Sequence, residues 1–355
     1  MKRTDRISNF LAYFLLAAAA AGCSGGAGTA TATPSPTEQA APSATPTPEP
    51  FVVIMAPDPT PTAAVELAIQ AVENFAGDRG WEIRRVTPGV EVLGGDRLGS
   101  PRLFAAIGSG IGGEVYAAAQ GRPDIRFLAV EETGIEPLEN LLIIGGDFRQ
   151  DQTAFMAGLL AGIENRNDYV GWIGEEGTTR GKIFQTGFRH GIRYVCPRCR
   201  LFDFELPPSA DASAGISVAG QLIQNYIDTA SAIPGAAGEA GLADLAGKGV
   251  RVAGAGTDFY RLVFDGGSGT GAEHVLGEVA FRPDVLLAKR LERFMDGEAF
   301  TEPVVYSLEN GGLVFADFIN DWVSSARQTY LNGVLEEVAA GRLDIGIDPE
   351  TGEER

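Results

Sequence analysis

From residue 51 onward two hydrophobic patterns alternate along the chain. Short, nearly continuous apolar runs at 51–56, 81–86, 103–107, 126–130, 141–144, 169–173, 201–206, 229–233 and 250–253 have the length and composition of β-strands. Between most of them lie segments of helical period, at 61–76, 113–120, 150–164, 180–194, 212–226 and 238–245. Strands that lack polar alternation are buried on both faces, so the pattern predicts an α/β fold built on parallel sheets covered on both sides. Gly145-Gly146-Asp147 interrupts the series after the fifth run and is expected to act as a hinge. After residue 275 the order changes. A run at 275–281 leads into a helix at 284–295, runs at 304–308 and 313–315 flank Glu309-Asn310-Gly311-Gly312, and a helix over about 320–340 follows. A chain that returns to its first lobe and then crosses again would have this order, which places several strands in the hinge.

The first fifty residues follow neither pattern. Lys2, Arg3 and Arg6 precede an apolar stretch at 10–21, and Ala20-Ala21-Gly22-Cys23 closes it. About twelve apolar residues are too few for a bilayer core that needs roughly twenty, so the segment is expected to be a cleaved export signal over 1–22. The ending resembles a bacterial lipobox, which implies lipidation at Cys23 and a membrane-tethered protein outside the cytoplasm. Residues 23–50 are rich in Pro, Thr and Ala. They hold too little apolar surface to offset the entropy of ordering, and are expected to be an extended tether.

The remaining length suits two cores. The net charge of −19, from 28 basic and 47 acidic residues, repels phosphate backbones and argues against nucleic acid as a partner. It also disfavours lying on an anionic membrane, leaving any anchoring to the lipid. Beyond Cys23 the cysteines are Cys196 and Cys199, in Cys196-Pro197-Arg198-Cys199. In an oxidising compartment this spacing favours a small structural disulfide. A redox pair and a zinc site with His190 as third ligand are the alternatives.

Two glycine-rich loops and two carboxylate pairs invite a chemical reading. Gly108-Ser109-Gly110-Ile111-Gly112-Gly113 follows a strand and opens a helix, with Glu131 and Glu132 some way on. This fits a dinucleotide fingerprint but sits on the third strand; the preferred reading is a helix N-terminus whose free amides, with Ser109, receive a ligand oxygen. Gly266-Gly267-Ser268-Gly269-Thr270-Gly271 lacks the lysine of a phosphate loop. Glu131-Glu132 and Glu175-Glu176 diverge as neighbours, yet each pair can place one carboxylate, Glu131 or Glu175, at the C-terminal end of a strand. His190 and His274 lie near no nucleophile elbow, and no hydrolytic constellation emerges.

The segment from Asp147 to Gly162, then Val170-Gly171-Trp172-Ile173-Gly174, Phe184-Gln185-Thr186-Gly187-Phe188-Arg189-His190-Gly191, Pro234-Gly235-Ala236-Ala237-Gly238, Glu309-Asn310-Gly311-Gly312-Leu313 and the stretch 335–343 resemble, in order, the basic membrane protein family. Its members are substrate-binding lipoproteins of ABC transporters, often purine-nucleoside receptors. The resemblance implies a type I periplasmic-binding-protein fold, with two doubly wound parallel-sheet lobes joined by a multi-crossing hinge. Lobe 1 would be 51–146 with 283–312, and lobe 2 would be 147–282 with 313–355. It also implies a ligand clamped between them by hinge closure. Phe184 matches the aromatic position that stacks on a base in nucleoside-binding relatives, with core packing beside Phe188 as its other reading. The family's polar loop after the first strand is replaced by Pro57-Asp58-Pro59-Thr60-Pro61, leaving Asp58. Its Val-Asp-x-Asp segment reads Ala255-Gly256-Thr257-Asp258, keeping Asp258 with Tyr260 beside it, and Phe281-Arg282 stands near its later lysine.

The sequence therefore predicts a non-enzymatic, extracytoplasmic, lipid-anchored monomer serving an ABC permease. It needs no cofactor and no metal, and binds a small polar molecule, a nucleoside among the candidates. A sensor that shows its closed form to a signalling receptor is the alternative, and an exported nicotinamide-dependent oxidoreductase is a more distant one.

Overall fold

The computed structural model describes residues 49–56, 62–88, 99–256, 258–316 and 318–355. The expectations for Asp58, for Cys23 and for the N-terminal export segment lie outside them.

The first half alternates β1 (Phe51–Met55), α1 (Ala63–Gly77), β2 (Glu82–Val86), β3 (Leu103–Ile107), α2 (Gly112–Gly121), β4 (Arg126–Val130) and β5 (Leu141–Phe148). Then come α3 (Gln150–Ile163), β6 (Tyr169–Glu175), α4 (Thr179–Val195), β7 (Arg200–Leu206), α5 (Ala212–Gln224), β8 (Thr229–Ala232), α6 (Ala236–Gly247), β9 (Arg251–Gly254) and the short α7 (Phe259–Val263). Last are β10 (Val275–Phe281), α8 (Pro283–Met295), β11 (Val304–Tyr306), β12 (Leu313–Phe315) and α9 (Ser325–Ala339).

These strands build two six-stranded sheets, ordered β11-β5-β4-β3-β1-β2 and β12-β10-β9-β8-β6-β7. All pairings are parallel except β10 with β12. The apolar runs explain their places: β3 and β4 lie inside the first sheet and bury almost every side chain, whereas the charged Glu82-Ile83-Arg84-Arg85 run takes the edge. The chain passes between the sheets three times, after β5, after β10 and between β11 and β12.

The glycine pair at 145 and 146 does not break β5, contrary to the sequence expectation. The strand runs through both residues to Phe148, with φ of 75° and 78°. Glycine is required there because a Cβ on Gly145 would meet the Tyr306 ring and one on Gly146 the carbonyl of Glu132.

Polar bonds tie the first crossing to the third. The Arg149 N–H donates to the Tyr306 carbonyl at 2.9 Å, Gln152 accepts from the Leu308 N–H at 2.8 Å, and its amide donates to Glu309 at 2.7 Å.

Helix α3 is buried from Asp151 to Gly162 and packs against α4 through Gly158 and Gly191. A Cβ on Gly191 would collide with the Phe155 carbonyl and lie against Gly158. Gly191→Val is therefore expected to wedge the two helices apart and lower stability by about 3 kcal/mol, read from the denaturant midpoint. A loss below about 1 kcal/mol would mean the helices separate freely.

Candidate functional site

The C-terminal ends of the parallel strands are where an open α/β sheet receives ligands, and carboxylates gather there from both sheets. Asp258 follows β9 in a left-handed conformation (φ 59°) and is only 4% exposed. Its Oδ2 accepts a 2.8 Å hydrogen bond from the Ala63 N–H, the first of α1, and its Oδ1 accepts from Arg261 Nε at 3.2 Å. A carboxylate of the second sheet is thus seated on the positive end of a helix that covers the first.

Glu131 ends β4, also with positive φ, and accepts a hydrogen bond from the Tyr306 hydroxyl. Glu278 stands within β10 and accepts from the Tyr260 N–H at 2.7 Å, so it caps α7. Burial pushes the Glu131 carboxyl up, with the Tyr306 hydrogen bond opposing and the Asp258 charge adding to the rise. Burial also pushes Glu278 up to about 7; the Tyr260 N–H opposes this, and the Asp258 charge again adds. The Tyr306 hydroxyl is held well above its ordinary value by burial and by the adjacent Glu131 charge. Glu131, Asp258 and Glu278 therefore share one electrostatic neighbourhood, with the Asp258 charge acting on both of the others.

An aromatic column backs this cluster and touches all three crossings. Tyr306 stacks on Phe281 at 4.7 Å, Phe281 packs on Phe148 at 5.0 Å, and Phe148 meets the edge of Phe184 at 6.3 Å.

Other expected site residues are placed differently. Phe184 is fully buried in the core that also holds Trp172 and Phe188, so in this structure its ring cannot stack on a ligand. The reason is its helical face: Phe184 and Phe188 are four residues apart, and α4 turns that side toward the second sheet. Tyr260 contributes its backbone N–H, while its ring packs with Phe264 and its hydroxyl lies against Gly267. The Glu175 carboxylate is engaged by the Thr178 hydroxyl at 2.6 Å and Arg180 at 3.1 Å, at the lip of a small cavity of about 60 Å³ lined also by Pro208, Pro234 and Gly235.

Ser109 is exposed, but the two amides that follow it, just before α2, are not free, which narrows the expectation of a ligand-receiving helix start to the amides of α2 itself. Glu132, 5% exposed, accepts from the Ile111 N–H at 2.7 Å and the Gly110 N–H at 3.2 Å. An internal carboxylate occupies the position a pyrophosphate would need, and removes the basis for dinucleotide binding at this loop. The sequence pairs Glu132 with Glu131 but does not foretell its bonds to the loop amides, and it gives no site role to Glu278 or Tyr306. An acidic residue inside the apolar run Val275-Leu276-Gly277-Glu278-Val279 was a legible hint for Glu278.

Residues 100–345 match the family model Bmp, described as ABC transporter substrate-binding protein PnrA-like. The chain belongs to this family. Its members are substrate-binding proteins and not enzymes. The chain is 24% identical over 126 residues to the CD4+ T-cell-stimulating antigen of Listeria monocytogenes, a match covering 36% of the chain and 34% of that protein. It is 31% identical over 101 residues to basic membrane protein C of Borreliella burgdorferi, covering 28% of each. The chain thus spans about a third of the length of the curated relatives it matches. In fold, it is similar to an ABC transporter solute-binding protein from Conexibacter woesei, with a TM-score of 0.60, 18% identity, and coverage of 83% of this chain and 98% of that one. The architecture is the type I periplasmic-binding-protein fold. No helix among the described residues is long and apolar enough to cross a membrane.

Proposed function

We propose that this Bmp-family protein is the solute-binding component of an ABC importer, held outside the cytoplasm by a lipid on Cys23 and working as a monomer beside its permease. Two lobes, 51–146 with 283–312 and 147–282 with 313–355, would close on a small ligand through the three crossings. The single observation that carries this reading is the meeting of Asp258, from the second sheet, with the start of α1 against the first. That contact joins the two sheets at their ligand-receiving ends.

The ligand class follows from the lining. Acceptors from Glu131, Asp258 and Glu278 favour a hydroxyl-bearing or amine-bearing molecule, such as a nucleoside or a sugar, over an anion. Phosphorylated compounds are disfavoured because the buried Asp258 charge, with Glu131 and Glu278 beside it, offers no compensating cation, and Glu132 already accepts from the Gly110 and Ile111 amides.

A thermal-shift panel of nucleosides and sugars tests the reading, since a ligand that binds only the native state raises the melting temperature. At least one member is expected to stabilise the protein, and Asp258→Ala is expected to weaken that ligand by about 1–3 kcal/mol, a roughly five- to 150-fold rise in Kd. No shift from any member at millimolar concentration, or unchanged affinity in a folded Asp258→Ala variant, would remove the basis for the assignment.

A further inference from the structure

The pair Cys196 and Cys199 plays no part in the cleft, yet it stands in a built side-chain cluster. The two are joined as a disulfide at the turn between α4 and β7, with Cα atoms 5.4 Å apart. Asp168, just before β6, brings its carboxylate to 4.0 Å from Cys196 Sγ, and the Asn165 side-chain oxygen lies 3.7 Å from Cys199 Sγ. Backbone bonds fix Asp168 against this turn. Its N–H donates to Asn165 Oδ1 at 2.7 Å and its carbonyl accepts from the Arg200 N–H at 2.7 Å. The ligand atoms of Asp168, Cys196 and Cys199 all lie within 4.8 Å of one another, and the three residues are half-buried, within reach of solvent.

We propose that Asp168, Cys196 and Cys199 form a redox-gated site for a thiophilic divalent cation of the zinc class, closed in the disulfide and opened by reduction. A dithiol reductant transfers two electrons and two protons to the disulfide, giving two thiols and the oxidised reductant. The cation then displaces both thiol protons and binds two thiolates and the carboxylate. Tetrahedral zinc with bonds of about 2.3 Å to sulfur needs the sulfurs roughly 3.8 Å apart, a separation that a Cys-x-x-Cys turn accommodates. Asn165 Oδ1 or water completes the set.

His190, the third ligand the sequence suggested, is committed elsewhere: Nδ1 faces the Ile345 carbonyl at 2.7 Å and Nε2 faces Glu354 at 3.3 Å. Arg198, 3.3 Å from Asp168 Oδ1 and largely exposed, supplies the positive charge while the disulfide is closed. A bound cation replaces it.

Cobalt(II) titration of the full chain, before and after reduction with a phosphine, reads thiolate ligation directly through a sulfur-to-cobalt charge-transfer band. One equivalent is expected to produce the band in the reduced protein only, and zinc should bleach it. Asp168→Ala is expected to weaken cobalt binding at least tenfold, and Arg198→Ala to tighten it several-fold. Circular dichroism of the reduced chain checks that it stays folded. Cys196→Ser is expected to abolish the band, and if that variant fails to fold, the comparison of reduced with oxidised wild type still decides the matter. No band after reduction, a disulfide that the phosphine leaves intact, or a band whose affinity is indifferent to Asp168→Ala would each overturn the proposal.

Discussion

Phe184→Ala is expected to lower the stability of the folded part by about 3–5 kcal/mol, the usual loss when a fully buried phenylalanine is truncated. The ring is 0% exposed, meets Phe148 edge-on, and carries the Arg180 guanidinium 5.3 Å from its centre. Removing it would open a cavity against Phe148, in the same core that holds the Trp172 and Phe188 rings, stacked at 4.6 Å, and the buried face of α3. A denaturant titration of the ligand-free protein measures the effect. If Phe184 instead faced a ligand, the variant would keep its midpoint within about 1 kcal/mol and lose affinity alone. The two roles therefore predict opposite pairs of results from the same variant. A mixed outcome, with a large stability loss and a weakened ligand, would locate the coupling in the Phe148–Phe281–Tyr306 column that joins this core to the crossings.

The strands and helices were legible because burial on both faces leaves a periodicity that needs no partner to be recognised. Leu103-Phe104-Ala105-Ala106-Ile107 and Val275 to Phe281 were delimited correctly from composition alone. The course of the chain after residue 275 was legible too, since β11 and β12, seven residues apart, join different sheets. What failed was everything decided by a contact distant in sequence. Gly145 and Gly146 read as a break, but their glycines are demanded by Tyr306 and Glu132, which approach from other elements. The glycine-rich loop before Gly112 reads as open because nothing local shows that Glu132, about twenty residues later, turns its carboxylate back onto the Gly110 and Ile111 amides. Asp258 is marked by its family position, yet its partner, the Ala63 N–H, lies 195 residues away. Glycine and carboxylate positions are ambiguous in one dimension for the same reason: their meaning is set by what approaches them.

Glu278→Gln is expected to make the protein more stable than wild type at pH 8 and to flatten its dependence on pH. Burial pushes the carboxyl of Glu278 up to about 7 in the folded protein, from 4.5 for the free group, because it disfavours the charge. A group whose pKa is raised on folding binds its proton more tightly in the native state. Its contribution is thus complete below pH 4.5, declines as pH climbs, and is gone above 7. At about 1.4 kcal/mol per pKa unit the swing reaches up to about 3 kcal/mol across this window. Glutamine retains an acceptor for the Tyr260 N–H that caps α7, and carries no charge to desolvate beside Asp258. Glu131, raised for the same reason, leaves a smaller residual slope in the variant. Melting temperatures recorded from pH 5 to pH 8 test this: wild type should fall steeply over that range and Glu278→Gln shallowly, so that the curves diverge toward alkaline pH. Parallel curves would mean that Glu278 is solvated in solution and that the carboxylate cluster at the strand ends is looser than the structure has it.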